Sequence, residues 1–186
     1  MPPHPLALIL CIDLYFTQLH LPPPLPLCFL PRMASSRSHL QLFPNPVDRI
    51  TDLLFIGSRS CNTPALLDAL GFTHVIDISG LPTGSAGRDS TATRLFLQLD
   101  DDEDAALSSL LSEFVSFVRM CDASRGDRLL VHCDAGVSRS VSLVLAYLML
   151  EDKMTFADAW SLVSTARPVA QPNEGFWKQL EARAKP

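Results

Sequence analysis

Beyond residue 47 the chain alternates short apolar runs with longer stretches of helical period. LLFIG (53–57), THVIDIS (73–79), LFLQL (95–99) and RLLVHC (128–133) are predicted strands. Between and after them lie predicted helices. TPALLDALG (63–71) carries Pro64 in its first turn and Gly71 at its end, the asymmetry expected of a short helix. AALSSLLSEFVSFVRMC (105–121) places Leu107, Leu110, Leu111, Phe114 and Val118 on one face. VSLVLAYLMLEDK (141–153) is apolar nearly all round, which predicts a central, buried helix. TFADAWSLVSTAR and NEGFWKQLEARAK complete the pattern, with Thr155 and Asn173 as N-caps. Strands interleaved with helices predict a single α/β domain, a mostly parallel central sheet flanked by helices. Tyr147, Trp160, Phe176 and Trp177 are assigned to its core. Residues 80–93 are expected to form a long loop.

Before this domain the pattern is different. Residues 1–32 are apolar, almost uncharged and punctuated by proline. A membrane-spanning helix needs about 20 consecutive predominantly apolar residues, but Asp13, Gln18 and His20 interrupt the run and Pro22 to Pro24 end it. No stable membrane insertion is expected. The reading is an N-terminal extension over residues 1–46, disordered, with Met33 as an alternative start, and a folded domain over 47–182.

Charge and cysteines narrow the chemistry. A formal charge of −5 without a basic cluster argues against a nucleic-acid partner, so any anion site must be local. The cysteines, at 11, 28, 61, 121 and 133, form no C-x-x-C pair and have no histidine at zinc-ligand spacing. Reduced thiols in the cytoplasm, extending to the nucleus, fit this usage, and neither metal nor cofactor is implied.

One stretch concentrates chemistry: VHCDAGVSRS, residues 131–140, closes a strand and opens a helix. Such a loop lies at the carboxyl end of the sheet, where backbone N–H groups at a helix N-terminus form an anion cradle. Gly136 permits the tight path. A thiol at Cys133 would feel the same field, and its thiolate would be favoured. Arg139 adds a planar fork that grips two oxygens of a tetrahedral dianion. Asp134, Ala135, Gly136, Val137, Ser138 and Arg139 are thus the candidate phosphate-binding residues. No Walker-type nucleotide loop exists in the chain.

HCDAGVSRS followed by AYLM resembles the active-site signature of the cysteine-dependent dual-specificity protein phosphatases, of the protein tyrosine phosphatase superfamily, and RPVAQPNEGFWKQL resembles the segment closing their catalytic domain. The likeness is nearest to the small atypical members. It implies a two-step hydrolysis of phosphotyrosine and phosphoserine or phosphothreonine, with Cys133 as nucleophile and Arg139 on the transition state. An aspartate some thirty residues upstream would be the general acid. Counting from the helix near Leu107 favours Asp101 and counting back from Cys133 favours Asp102, with Asp100 beside them; Asp101 is preferred. By the same resemblance Ser140 assists the departing thiolate, His132 orients the loop, and Asn173 either braces it or simply caps a helix.

Asp134 sets a carboxylate beside a site meant for a dianion, so its side chain either points into solvent or trims activity. Without a lysine in the loop an inositol phospholipid substrate is not expected, nor an RNA triphosphatase. The implied partner is a phosphoprotein, signalling kinases included. Two competing classes are a catalytically weak phosphoprotein-binding module using the same loop, and a sulfur-transfer enzyme.

Overall fold

The computed structural model describes residues 46–79 and 91–184. Expectations for residues 1–45, including Met33, Cys11 and Cys28, and for most of the 80–93 segment lie outside that range. The sheet contains β1 (Val47–Arg49), β2 (Leu54–Ser58), β3 (His74–Asp77), β4 (Thr93–Phe96) and β5 (Leu129–Cys133). The helices are α1 (Pro64–Ala69), α2 (Ser108–Met120), α3 (Arg139–Leu150), α4 (Phe156–Ala166) and α5 (Glu174–Arg183). Strand order is β1-β2-β5-β3-β4, with β1 antiparallel to β2 and every other pairing parallel.

This is a single α/β domain with a mixed sheet, as the interleaved pattern requires. Two strands differ from expectation. β1 escapes sequence reading because three residues after a proline carry no usable alternation. The third predicted strand, 95–99, is shifted toward the N-terminus, because its ladder begins at Thr93↔His74 and ends at Phe96↔Asp77. Leu97 then donates one last bond to the Asp77 carbonyl (2.9 Å) and the chain leaves the sheet.

β5 is central and buried on both faces. Leu129, Val131 and Cys133 point into the larger core, against α2 and α3; Leu130 points into a smaller one with Phe55, Leu67, Phe72 and Val75. Period-two alternation thereby places Cys133 and His132 on opposite sides of the same strand end.

α3 is the helix that was expected to be buried, and Val141, Leu143, Val144, Leu145 and Leu148 are sealed from solvent. Each contributes about 1.5–3 kcal/mol of transfer free energy. It starts two residues earlier than its apolar pattern suggests, so Arg139 and Ser140 occupy its first turn. Polar residues there hide the start from a hydrophobic reading.

The helix ends follow local rules. Thr63 accepts from Leu66 N ahead of Pro64, and Gly71 adopts φ +68°. Thr155 accepts from Asp158 N and Asn173 from Phe176 N. Of the four aromatics assigned to the core, Phe176 is fully buried. Trp160 and Trp177 are partly exposed, packed edge to face with centroids 4.9 Å apart, and Tyr147 leans on Phe114 at 6.2 Å. No helix among the described residues is long and apolar enough to cross a membrane.

Candidate active site

Cys133 ends β5, and the loop from Asp134 to Ser138 leads into α3. The backbone orientation of this loop can be traced carbonyl by carbonyl. Asp134 O accepts Arg59 N (3.0 Å), Ala135 O accepts Arg167 Nη2 (3.3 Å) and Gly136 O accepts Arg167 Nε (2.6 Å). Val137 O accepts Gln171 N (2.9 Å), and Ser138 O accepts both Ser142 N and Ser142 Oγ (2.9 Å each). Five successive carbonyls are thus committed to partners outside the loop. In a trans peptide the N–H lies opposite the C=O, so the N–H groups of residues 135–139 turn to the concave side. Gly136 N donates to Cys133 Sγ at 3.2 Å.

Gly136 is the hinge of this path. Its φ is +69°, and a Cβ there would meet Gly57 O at 2.4 Å and Arg167 Nη2 at 2.8 Å. Any side chain would force the loop off the end of β2.

Around the sulfur, Ser140 Oγ lies 3.3 Å from Cys133 Sγ. Arg139 is buried, and its Nη1 donates to Ile78 O (3.2 Å) and Leu99 O (3.3 Å), fixing the fork at the carboxyl ends of the strands. Burial alone would disfavour its charge; the Asp134 carboxylate, with the charges of Cys133 and Asp101, more than offsets that and raises its pKa.

His132 is fully buried on the opposite face of the sheet, its Nδ1 3.4 Å from Cys133 O and its Nε2 3.6 Å from Asp77 Oδ2. Burial, only partly opposed by Asp77, holds the imidazole below its ordinary pKa. The neutral ring sits beside the strand backbone at the Cys133 carbonyl.

The acidic segment separates its three aspartates. Asp101 Oδ1 accepts Ser138 Oγ (2.6 Å) and Asn173 Nδ2 (2.9 Å), and its Oδ2 is 3.5 Å from Arg139 Nε. Asp102 instead turns its carboxylate back to Asp104 N (2.8 Å), and Asp100 is exposed. Asp101 is therefore the aspartate brought to the loop.

Asn173 joins the two readings that the sequence left open. Its Oδ1 caps α5, while its amide holds Asp101 and its backbone N donates to Ser138 Oγ (3.1 Å). Below it Gln179 spans Leu107 N (2.9 Å) and Ala105 O (2.8 Å). A Cβ on Gly175 would fall 1.9 Å from Glu103 O, so α5 can approach this segment only through a glycine.

Asp134 does not simply point into solvent. Its half-exposed carboxylate donates no bond but accepts from Arg139 Nη2 at 2.6 Å and pairs with Arg59 through its other oxygen. The carboxylate thus occupies one edge of the guanidinium fork.

Sequence reasoning singled out Cys133, Arg139, Ser140, Asp101 and Asn173, and the fold brings them together. It missed Arg59, Gln171 and Arg167, of which Arg167 and Gln171 lie inside the RPVAQPNEGFWKQL segment. A fully buried arginine has no signature in hydrophobic pattern; only tertiary contact reveals it.

The site is thus a cysteine at the floor of a peptide-amide cradle, at the carboxyl edge of an α/β sheet. Residues 54–185 match the family model "Dual specificity phosphatase, catalytic domain", and the chain belongs to that family of protein phosphatases. It is 38% identical over 139 residues to the Dual specificity protein phosphatase PHS1 of Arabidopsis thaliana, covering 70% of this chain and 14% of the relative. It also spans well under half the length of two further curated relatives, at 37% and 34% identity.

The structure of human DUSP28 superimposes with a TM-score of 0.67 at 31% identity, covering 76% of this chain and 95% of that one. A mouse putative dual specificity phosphatase, solved in complex with zinc tungstate, gives 0.68 at 30% identity, covering 82% and 92%. These likenesses place the chain with the small atypical dual-specificity phosphatases.

Proposed function

We propose that the chain hydrolyses phosphotyrosine and phosphoserine or phosphothreonine in proteins through a cysteinyl-phosphate intermediate. The observation that carries this reading is the run of five outward carbonyls, with the Gly136 N–H already on the Cys133 sulfur. Donors arranged in this way before substrate arrives need no reorganisation when charge builds on the equatorial oxygens.

The Cys133 thiolate attacks phosphorus, a P–S bond forms and the P–O bond breaks, and Asp101 delivers a proton to the leaving oxygen. Water then attacks the phosphocysteine while the Asp101 carboxylate takes its proton. The thiolate departs toward the Ser140 hydroxyl, and inorganic phosphate is released. Throughout, Arg139 and the loop N–H groups hold the oxygens, with His132 and Asn173 fixing the strand end and the acid.

Tungstate, with which the mouse relative was solved, is a tetrahedral oxyanion like phosphate. The partner is a phosphoprotein, signalling kinases among the candidates, and the setting is the cytoplasm and nucleus, where such thiols stay reduced.

The test is hydrolysis of an aryl phosphate by the purified protein beside Cys133→Ser. Turnover lost with the sulfur, and a phosphocysteine caught by acid quench and mass spectrometry, are the expected results. Equal rates in the two proteins reject the enzyme. Inorganic phosphate binding without turnover points to the binding-module reading.

A further inference from the structure

Arg167 follows α4 and is the largest fully buried side chain among the described residues. Taking a guanidinium out of water costs several kcal/mol unless its surroundings repay it, and an aliphatic residue would fill this position without that penalty. What the guanidinium does there is visible in its partners. Nε donates to Gly136 O (2.6 Å), Nη2 to Ala135 O (3.3 Å), and Nη1 pairs with Asp48 Oδ2 (2.6 Å) on β1.

The two carbonyls flank the left-handed Gly136, where no strand or helix can supply regular partners. A planar fork with several donors can serve both. Each tie sits on the far side of a peptide plane from the cradle. The 135–136 peptide gives its oxygen to Arg167 and its N–H to Cys133 Sγ (3.2 Å). The 136–137 peptide gives its oxygen to Arg167, which turns the Val137 N–H inward.

We propose that Arg167, seated by Asp48, is a positioning residue for the phosphate cradle: it aims the Gly136 and Val137 N–H groups at the sulfur and at the bound oxyanion. The edge strand β1, distant in sequence from the loop, contributes to the site through this pair. The proposal rests on the loop being a phosphate site.

Three measurements on Arg167→Met and Asp48→Asn decide it: inorganic phosphate affinity, the pH midpoint of Cys133 alkylation followed by mass spectrometry, and thermal melting. Arg167→Met is expected to weaken phosphate by about tenfold or more, the scale of losing hydrogen bonds from a charged donor, and to raise the alkylation midpoint. Asp48→Asn keeps an oxygen acceptor and should move both in the same direction by less; it also serves if Arg167→Met does not fold.

Val163→Ala, in the buried core side of α4, is the control, because it is expected to lower melting by opening a core cavity while leaving the Arg167 guanidinium in place. Should either variant melt lower while phosphate affinity and the alkylation midpoint stay within twofold of wild type, Arg167 is a structural arginine only. Wild-type protein that fails to bind phosphate ends both this proposal and the function above it. Absence of turnover alone ends only the enzymatic reading, since the binding and alkylation arms decide the tie without it.

Discussion

The loop of residues 134–138 and the acidic segment of residues 100–106 meet at Ser138, yet they are held in different ways. The loop is tied through its backbone, one carbonyl after another, to Arg59 after β2, to Arg167 and Gln171 after α4, and to Ser142 in α3. The acidic segment is held largely from one helix, by Asn173 and Gln179 of the α5 region, and Asp101 reaches the loop through side chains alone. In the proposed hydrolysis, distributed backbone ties would suit a cradle that keeps one shape through two steps. Side-chain ties would suit a carboxyl group that meets leaving groups of different size and then turns to a water. The difference predicts that single changes in the acidic segment alter leaving-group dependence, whereas changes in the cradle alter oxyanion binding.

The sharpest way to test the cradle is to remove its nucleophile. Cys133→Ser should lower kcat by at least about 10⁴-fold while retaining phosphate affinity, since Gly136 N–H and the rest of the loop remain. A variant that loses binding with turnover would show that sulfur also shapes the cradle.

Next in size, Asp101→Asn should slow alkyl phosphates by about 10²-fold or more and activated aryl phosphates much less. Asp102→Asn, whose carboxylate turns to its own backbone, should stay within about threefold of wild type on the same scale. A series of aryl phosphates of graded leaving-group pKa reads both, and similar slopes for the two variants would remove the assignment to Asp101.

Asn173→Ser separates the cap from the brace. Serine caps nearly as well as asparagine, so melting should change little. Losing the amide on Asp101 is expected to cost about tenfold in kcat, the scale of one hydrogen bond to a charged group. Unchanged kcat in a normally folded variant would mean that Ser138 suffices to hold the acid.

Asp134→Asn is expected to improve the enzyme. In the proposed reaction the carboxylate would compete with substrate for Arg139, and a half-exposed pair of this kind is worth about 0–1 kcal/mol. Phosphate affinity and kcat/KM should therefore rise by up to about fivefold, more at low salt. A loss on both measures would make Asp134 a support for Arg139 instead of a competitor.

The smallest effect concerns His132 behind the cradle. Burial lowers its pKa, so the unfolded chain takes up a proton that the folded protein does not. Its contribution to stability is present above the ordinary histidine value of about 6.5 and is lost as pH falls through the depressed folded value. Denaturant midpoints between about pH 7.5 and 5.5 should decline, and His132→Asn should flatten that part of the slope.

The sequence by itself determined the alternation of strands and helices, the buried α3, the caps at Thr155 and Asn173, and the strand–loop–helix that carries Cys133 and Arg139. These depend on interactions within a few residues, or on periodicity that a single segment displays. It left β1 unseen, placed the start of α3 two residues late, and preferred Asp101 although its two counts disagreed between Asp101 and Asp102, because one residue of loop length shifts the register.

Only the tertiary structure decided which carboxylate reaches Ser138, that Asp134 lies on Arg139, and that Arg167 and Asp48 meet under Gly136 from positions far apart in the chain. A backbone carbonyl has no residue-type signature, and what turns it outward is a partner that the linear order of residues does not name.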